Sequence, residues 1–354
     1  MRGLGEEVIN TDATMTALGS AVVLSYQNPS LPIEKEKTVF QAGIIGSGVL
    51  GNQFKYHRFI TDARPNYLKG IFVLPFDFSF GIGLTEKYNQ NFNVYSDTIN
   101  HPGYQRQIVG YGGIYCAGIS LAKSFYKHFA IGFEYGRYFG NFQELWFFQA
   151  LPSFTITTDT VTTNYRGDNL KFGFGASIKN FNLGILYEKN LPIYIDNRVL
   201  SHGVLIDSAM GLKLELPPRI GLGLSFSPLP KFAIILDYFH RQSKNIKINQ
   251  NRSPIFQNSN KYSIGFIYNL DDKHPIRFGY RYYDWYFVDH TNKLINEQAI
   301  TLGSGIPIPK FGSLEFALEL INRKGSTLTE NICRLNLTLH YEEVWKIRKR
   351  RWGY

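Results

Sequence analysis

The chain has 354 residues, 44% hydrophobic and 16% aromatic, with a net charge of +10 and a mean hydropathy of −0.18. That average excludes a helical bundle in lipid. The longest uncharged stretch, Ala13–Ile33, is interrupted by polar residues and by Asn28-Pro29, whereas a spanning helix needs roughly 20 predominantly apolar residues. The charge does not point to nucleic acid: Lys346, Arg348, Lys349, Arg350 and Arg351 crowd the last nine positions, and the other basic residues are scattered without forming a helical face.

Residues 1–37 do not alternate between polar and apolar. They are rich in Gly, Ala, Ser and Thr and end in Tyr26-Gln27-Asn28-Pro29-Ser30-Leu31-Pro32. No secretory signal precedes them, since Met1-Arg2-Gly3 runs straight into polar sequence, so the expectation is a mature form or a start placed downstream of the true one. From residue 38 onward a period-two rhythm takes over. Leu170, Phe172, Phe174, Ala176 and Ile178 share one face, opposed by Lys171, Gly173, Gly175 and Ser177. Leu314, Phe316, Leu318 and Leu320 are likewise opposed by Ser313, Glu315, Ala317 and Glu319. Alternation of this kind marks strands with one oily and one wet face. A barrel strand needs only about 10 residues, half of them facing lipid, so a moderate mean hydropathy is expected of such a chain.

Strands are expected at 38–50, 66–75, 78–95, 105–123, 128–142, 168–178, 181–190, 207–227, 231–244, 259–269, 275–287, 296–306, 312–322 and 330–341. Short connections fall at Pro75-Phe76-Asp77, Phe125–Lys127, Lys179-Asn180, Pro228–Pro230, Leu270–His274 and Pro307–Phe311. Long ones fall near 51–65, 96–104, 143–167, 191–206, 245–258, 288–295 and 323–329. Short periplasmic turns alternating with long extracellular loops describe an outer-membrane β-barrel. Pro217-Pro218 could split 207–227 into two strands. An odd count would leave the termini on opposite sides, so one long strand kinked at the prolines is preferred, which makes fourteen. The fold class is all-β: a 14-stranded antiparallel transmembrane barrel (38–342), an N-terminal hatch (1–37) and a basic periplasmic tail (343–354). The hatch follows from bore: fourteen strands enclose too wide a space for their own side chains to fill. The alternative is a disordered periplasmic arm.

Facing is read from the same alternation. Tyr111, Ile131, Phe133, Leu183, Ile185, Ile220, Leu222, Leu224, Ile234, Leu236, Phe266, Ile276, Phe278 and Leu335 are assigned to lipid. Glu134, Glu188, Lys213, Glu215, Arg219, Asp237, Arg277, Arg281, Glu315, Glu319 and Arg334 are assigned to the lumen as structural charges that brace it. Cys116 and Cys333 lie on strands far apart, which argues against a disulfide, and two cysteines without neighbouring His are too few for zinc. Gly46-Ser47-Gly48-Val49-Leu50-Gly51 satisfies GxGxxG, but no helix follows to hold a pyrophosphate, so it is read as the end of the first strand. GxSxG, HExxH and paired-Cys motifs do not occur, and Ser201-His202 sits in a loop. The expectation is a non-enzyme without metal or cofactor.

Several short segments, in order, resemble the FadL family of outer-membrane transporters for long-chain fatty acids and other hydrophobic compounds. They are Arg2-Gly3-Leu4-Gly5, Ala17-Leu18-Gly19, and Asn28-Pro29-Ser30-Leu31, which is similar to the family's Asn-Pro-Ala hatch motif with Ser for Ala. Leu216–Ser225 followed by Asp237-Tyr238, and Arg277-Phe278-Gly279-Tyr280 through Gly303-Ser304-Gly305, complete the resemblance. The short hatch and the tail Trp345–Tyr354 are most similar to divergent members from the Bacteroidetes and related bacteria. The resemblance implies a 14-stranded barrel with a hatch that passes hydrophobic molecules without an energy source. Asn28, Pro29 and Ser30 would then gate. Trp146, Phe147, Phe148 and Phe154, in the long 143–167 connection, are the candidate ligand-binding aromatics, since an apolar loop is costly in water unless it packs or binds something. Expected partners are outer-membrane lipid and lipopolysaccharide and a hydrophobic small molecule, with no nucleic acid, and a monomeric state in the outer membrane of a Gram-negative bacterium. The alternative is a non-transporting barrel that anchors or forms part of a secretion or surface assembly. A continuous apolar cavity from outer loops to hatch would separate the two.

Overall fold

In the computed structural model, residues 4–8, 12–30, 37–53, 56–96, 104–126, 128–150, 156–271, 274–289, 291–309, 311–326 and 328–344 are described. Apart from the one-turn helix α1 (Ala13–Thr16) and a 3-10 turn at Ser243–Asn245, their regular structure is strand. Fourteen antiparallel strands close into a barrel. They are β1 (Lys37–Gln53), β2 (Tyr56–Leu74), β3 (Phe78–Asn89 and Phe92–Ser96), β4 (Tyr104–Phe125), β5 (Phe129–Ala150), β6 (Ile156–Ile178) and β7 (Phe181–Asn190 and Ile193–Ser201). The second half comprises β8 (Val204–Glu215 and Arg219–Leu229), β9 (Phe232–Arg241), β10 (Ser259–Asn269), β11 (Pro275–Val288), β12 (Leu294–Ile308), β13 (Gly312–Lys324) and β14 (Leu328–Val344). β14 closes on β1 from Lys37 opposite Val344 to Gln53 opposite Leu328.

The alternation in the sequence sets the two faces. On β6 Phe172 is 48% exposed while its neighbour Lys171 is 3% exposed. Ile131, Phe133, Leu183, Ile220, Leu222, Leu236, Ile276, Phe278 and Leu335 stand on the outer surface, and Glu134, Glu188, Asp237, Arg277, Arg281, Glu315 and Glu319 are buried within. Closure into a barrel satisfies most of the ladder within the wall and an apolar band faces lipid, which is how a β-protein crosses a membrane. The chain has the form of a transmembrane β-barrel.

The wall is uneven. β4, β5 and β6 run 22, 22 and 23 residues, against 10 and 11 for β9 and β10. The stretches 51–65, 143–167 and 191–206, expected as loops, are therefore mostly strand. β5 and β6 remain paired as far as Gln149 opposite Ile156, and the second piece of β7 pairs with both β6 and β8. The segment 156–167 lacks apolar alternation because it stands above the lipid, yet its β-branched threonines suit a pleated surface. Pro217-Pro218 interrupts β8 without ending it, as proline must where it cannot donate to the ladder. Lys213 and Glu215 are a correction: they pair with each other at 2.6 Å beyond the rim, partly exposed, rather than bracing the lumen. The GxGxxG segment is ladder throughout. The basic tail from Trp345 lies outside the described residues.

Candidate functional site

The amino-terminal segment lies against the inner wall as a strap. Asp12 caps α1 through its side chain, which accepts from the Thr14 N–H at 2.9 Å. From there the strap meets the strands in turn. The Ala13 N–H donates to Thr338 Oγ1 on β14 (2.9 Å) and the Gly19 N–H to Thr301 Oγ1 on β12 (3.0 Å). The Val22 and Val23 N–H groups donate to Asp237 Oδ2 on β9 (3.0 and 2.8 Å), and Asn28 Nδ2 donates to the Ile185 carbonyl on β7 (3.3 Å). Small wall residues make room for it. A Cβ at Gly303 would meet Ala17, at Gly265 Leu18, at Gly223 Val23, at Gly173 the Asn28 side chain, and at Gly132 the Pro29 carbonyl. Gly132 pairs with Gly173, Gly184 with Gly223 and Gly265 with Gly279, so these positions sit level on neighbouring strands. Asn28 and Ser30 are fully buried, and Asn28 Oδ1 accepts from the Ser30 N–H (3.1 Å) and Oγ (2.8 Å). The bend at Asn28-Pro29-Ser30 is thus pinned to the wall.

Ahead of the strap, Glu6 and Glu7 form a two-residue strand on the edge of β3, opposite Asn89 and Tyr88. Their side chains reach four arginines on opposite sides of the lumen. Glu6 pairs with Arg323 on β13 and Arg334 on β14, both at 2.8 Å. Glu7 pairs with Arg219 on β8 (2.9 Å) and Arg241 on β9 (3.2 Å). Burial would raise the Glu6 carboxyl, but the guanidinium groups of Arg334 and Arg323 outweigh it and hold it well below the usual carboxylate range. Burial acts on Glu7 in the same way and is likewise overcome, by Arg241 and Arg219. The network extends from Arg219 to Glu188 (2.5 Å), from Arg281 to Glu297 and Glu319 (2.8 and 3.0 Å), and from Arg277 to Glu315 (2.6 Å). Lys171 meets Glu134, and Lys261 meets Asp237 at 3.1 Å.

At β3 the wall has a seam. β2 and β3 pair only between Tyr67–Leu74 and Phe78–Thr85. Beyond Thr85, β3 stays with β4 but leaves β2, whose residues 56–66 pair, among the described residues, with β1 alone. The Glu6-Glu7 strand takes the place β2 would have held, and the Val8 N–H extends the match to the Lys87 carbonyl at 2.9 Å. Side chains, not a ladder, bridge the seam. Arg64 Nε lies 2.8 Å from both Glu86 oxygens, Arg64 also meets Asp62, and Asn91 Nδ2 donates to Asp62 Oδ1 at 3.1 Å.

The mouth on the tall side is closed by apolar packing of Tyr88, Ile114, Tyr138, Phe142, Tyr165, Ile193, Phe256 and Tyr286. The expected aromatic loop cluster is corrected here. Trp146 and Phe148 lie on β5, with ring centroids 6.2 Å apart; Trp146 Nε1 donates to Glu144 at 3.0 Å, and the Arg106 guanidinium lies 5.4 Å from the Phe148 ring. Phe147 points to the opposite face of the same strand, because successive strand residues alternate. Phe154 lies outside the described residues. The spaces beside the hatch are small and charged: about 30 Å³ between Glu6, Glu7, Arg64, Arg281 and Arg334, and about 10 Å³ beside Lys171 and Arg219. Each holds about a water. Larger apolar grooves, about 490 Å³ over Leu222 and Tyr262 and about 420 Å³ over Ile300 and Leu320, open outward where lipid chains lie. Ser201 Oγ and His202 Nδ1 are 3.1 Å apart at an exposed hairpin tip, remote from the lumen. Among the described residues, no group of His, Cys, Asp or Glu is placed to hold a metal.

Sequence reasoning missed Glu6, Glu7, Arg64, Glu86, Arg241, Glu297 and Arg323. The signal was present for the first two, the one adjacent acidic pair within residues 1–37.

A family model described as BamG matches residues 5–352. No curated protein sequence matches the chain. Among solved structures, a FadL homologue of Pseudomonas aeruginosa superposes with a TM-score of 0.67 at 12% identity, covering 95% of this chain and 99% of that one. The P. putida toluene transporter TodX gives 0.64 at 12% identity, with 96% and 99% covered. The monoaromatic hydrocarbon channel CymD gives 0.64 at 11%, with 95% and 98% covered. At such identities the likeness is one of fold, the FadL-like barrel.

Proposed function

The chain belongs to the BamG family over residues 5–352, and we propose that it is an outer-membrane channel for passive uptake of hydrophobic compounds, long-chain fatty acids among them. The seam between β2 and β3 carries this reading. It is a place where the wall lacks ladder hydrogen bonds and where a short hatch strand, not a neighbouring barrel strand, fills the edge. Moving the hatch strand would open a sideways path into the membrane, which suits an apolar cargo and keeps it out of the charged lumen. Cargo of that kind gains about 25 cal/mol per Å² of surface taken from water, so an apolar mouth can capture it without a charged partner. The named cargo of TodX and CymD, toluene and monoaromatic hydrocarbons, supports an apolar substrate class.

The test is a disulfide across the seam. Asp62→Cys with Asn91→Cys should block uptake of a fluorescent fatty acid and of toluene into proteoliposomes when oxidised, and reduction should restore it. Unchanged uptake in the oxidised form would refute the lateral path. One observation favours a second reading, a barrel that anchors or belongs to a surface assembly without transporting: the lumen is occupied by paired charges with room for little more than water. Absence of uptake in both redox states would select it.

A further inference from the structure

We propose that the outer piece of β8 is a docking edge for an extended segment of a different polypeptide at the barrel's tall rim. From Val204 to Met210 this strand pairs with β7 on one side. Its other side meets no strand among the described residues until Leu214 comes opposite Ile248, in a small hairpin of Lys247–Ile248 and Asn251–Arg252. The cause is the step in wall height, since β9 ends at Arg241, level with Arg219. Val204, Leu205 and Ile206 are 64%, 57% and 61% exposed, and Met210 is 62% exposed. Three consecutive exposed apolar residues occupy both faces of the strand, whereas lipid contact would call for one. A row of unpaired N–H and C=O groups beside such side chains is a template for another strand. Lysine and proline, which commonly blunt edges, are absent from 204–210, where Asp207 is the single charge.

A second copy does not fit this edge. Two identical edges pairing antiparallel are related by a two-fold axis perpendicular to the sheet. That axis lies in the membrane plane and would invert one barrel. Pairing the same edge parallel, about an axis along the strands, would set each N–H opposite its own copy instead of a carbonyl, so the occupant is a different chain. At the foot of the edge stand Lys247 and Arg252, on the hairpin that pairs with Leu214-Glu215, with Glu215 opposite Lys247 and paired to Lys213. A strand laid down the edge brings one end against this basic cluster, so the partner segment is apolar along its length and acidic at that end.

The test uses the full chain in lipid nanodiscs and a fluorescent nonapeptide of alternating Thr and Val ending in two Glu. Polarisation should report binding, and hydrogen exchange at the 204–210 amides should slow when the peptide is present. N-methylation at alternate peptide residues, which removes strand hydrogen bonds without touching the protein, should weaken binding at least tenfold. Ending the peptide in two Lys, or introducing Lys247→Glu with Arg252→Glu, should weaken it severalfold. No binding, equal binding of the N-methylated peptide, or spontaneous crosslinking of two copies through Ser208→Cys would overturn the proposal.

Discussion

Glu6 and Glu7 tie the amino-terminal segment to four strands at once, and the proposed closure turns on them. Removing one charge of a buried pair costs about 3–5 kcal/mol, because the partner is left unpaired. Glu6→Gln should thus take from Arg334 the carboxylate it pairs with, while Arg323 keeps Glu297 and Glu330, and Glu7→Gln should do the same to Arg241, while Arg219 keeps Glu188. Either change is expected to raise ion conductance in planar bilayers while the barrel keeps its heat-modifiable band on gels. The pH dependence has a definite sign. Both carboxyls titrate lower in the folded state than in the unfolded one. Their contribution is therefore complete above the ordinary Glu value of about 4.3, and it is lost as pH falls through the lower folded values. Conductance should accordingly stay flat from about pH 8 to pH 5 and rise only under stronger acid. A step near neutral pH would assign the closure to other groups.

Among the elements, the strap and its glycine track are complementary surfaces. Gly223 has no side chain where Val23 lies, so Gly223→Leu places a branched side chain in occupied space. Overpacking of this sort costs about 1–3 kcal/mol. The strap holds to the wall by hydrogen bonds and close contact, so the expected outcome is a displaced hatch within an intact barrel. Protease cleavage within residues 12–30 should become detectable, and conductance should rise. If Gly223→Leu leaves both unchanged, the strap is not what closes the lumen.

For the molecule as a whole, the step in wall height sets its orientation. The tall rim is expected outside the cell and the short turns in the periplasm. A maleimide too large to cross the membrane should label His202→Cys on intact cells and leave Lys179→Cys unlabelled; the reverse pattern would invert the barrel. Much of this architecture was legible beforehand. Period-two alternation at Leu170–Ile178 or Ser313–Leu320 marks strands and their faces because lipid outside and charge inside impose opposite demands on successive residues. That is why Glu134, Glu188, Arg281 and Glu319 could be assigned to the interior. Above the lipid the demand disappears, and residues 156–167 read as loop although they are strand. The partners of each charge, the inward turn of β3 away from β2, and the gathering of Trp146 and Phe148 without Phe147 were beyond reach. Each depends on which strands meet across the barrel. Local sequence determines the face a residue takes, through the geometry of a single strand; what it faces follows only from closure, which brings positions hundreds of residues apart to one level.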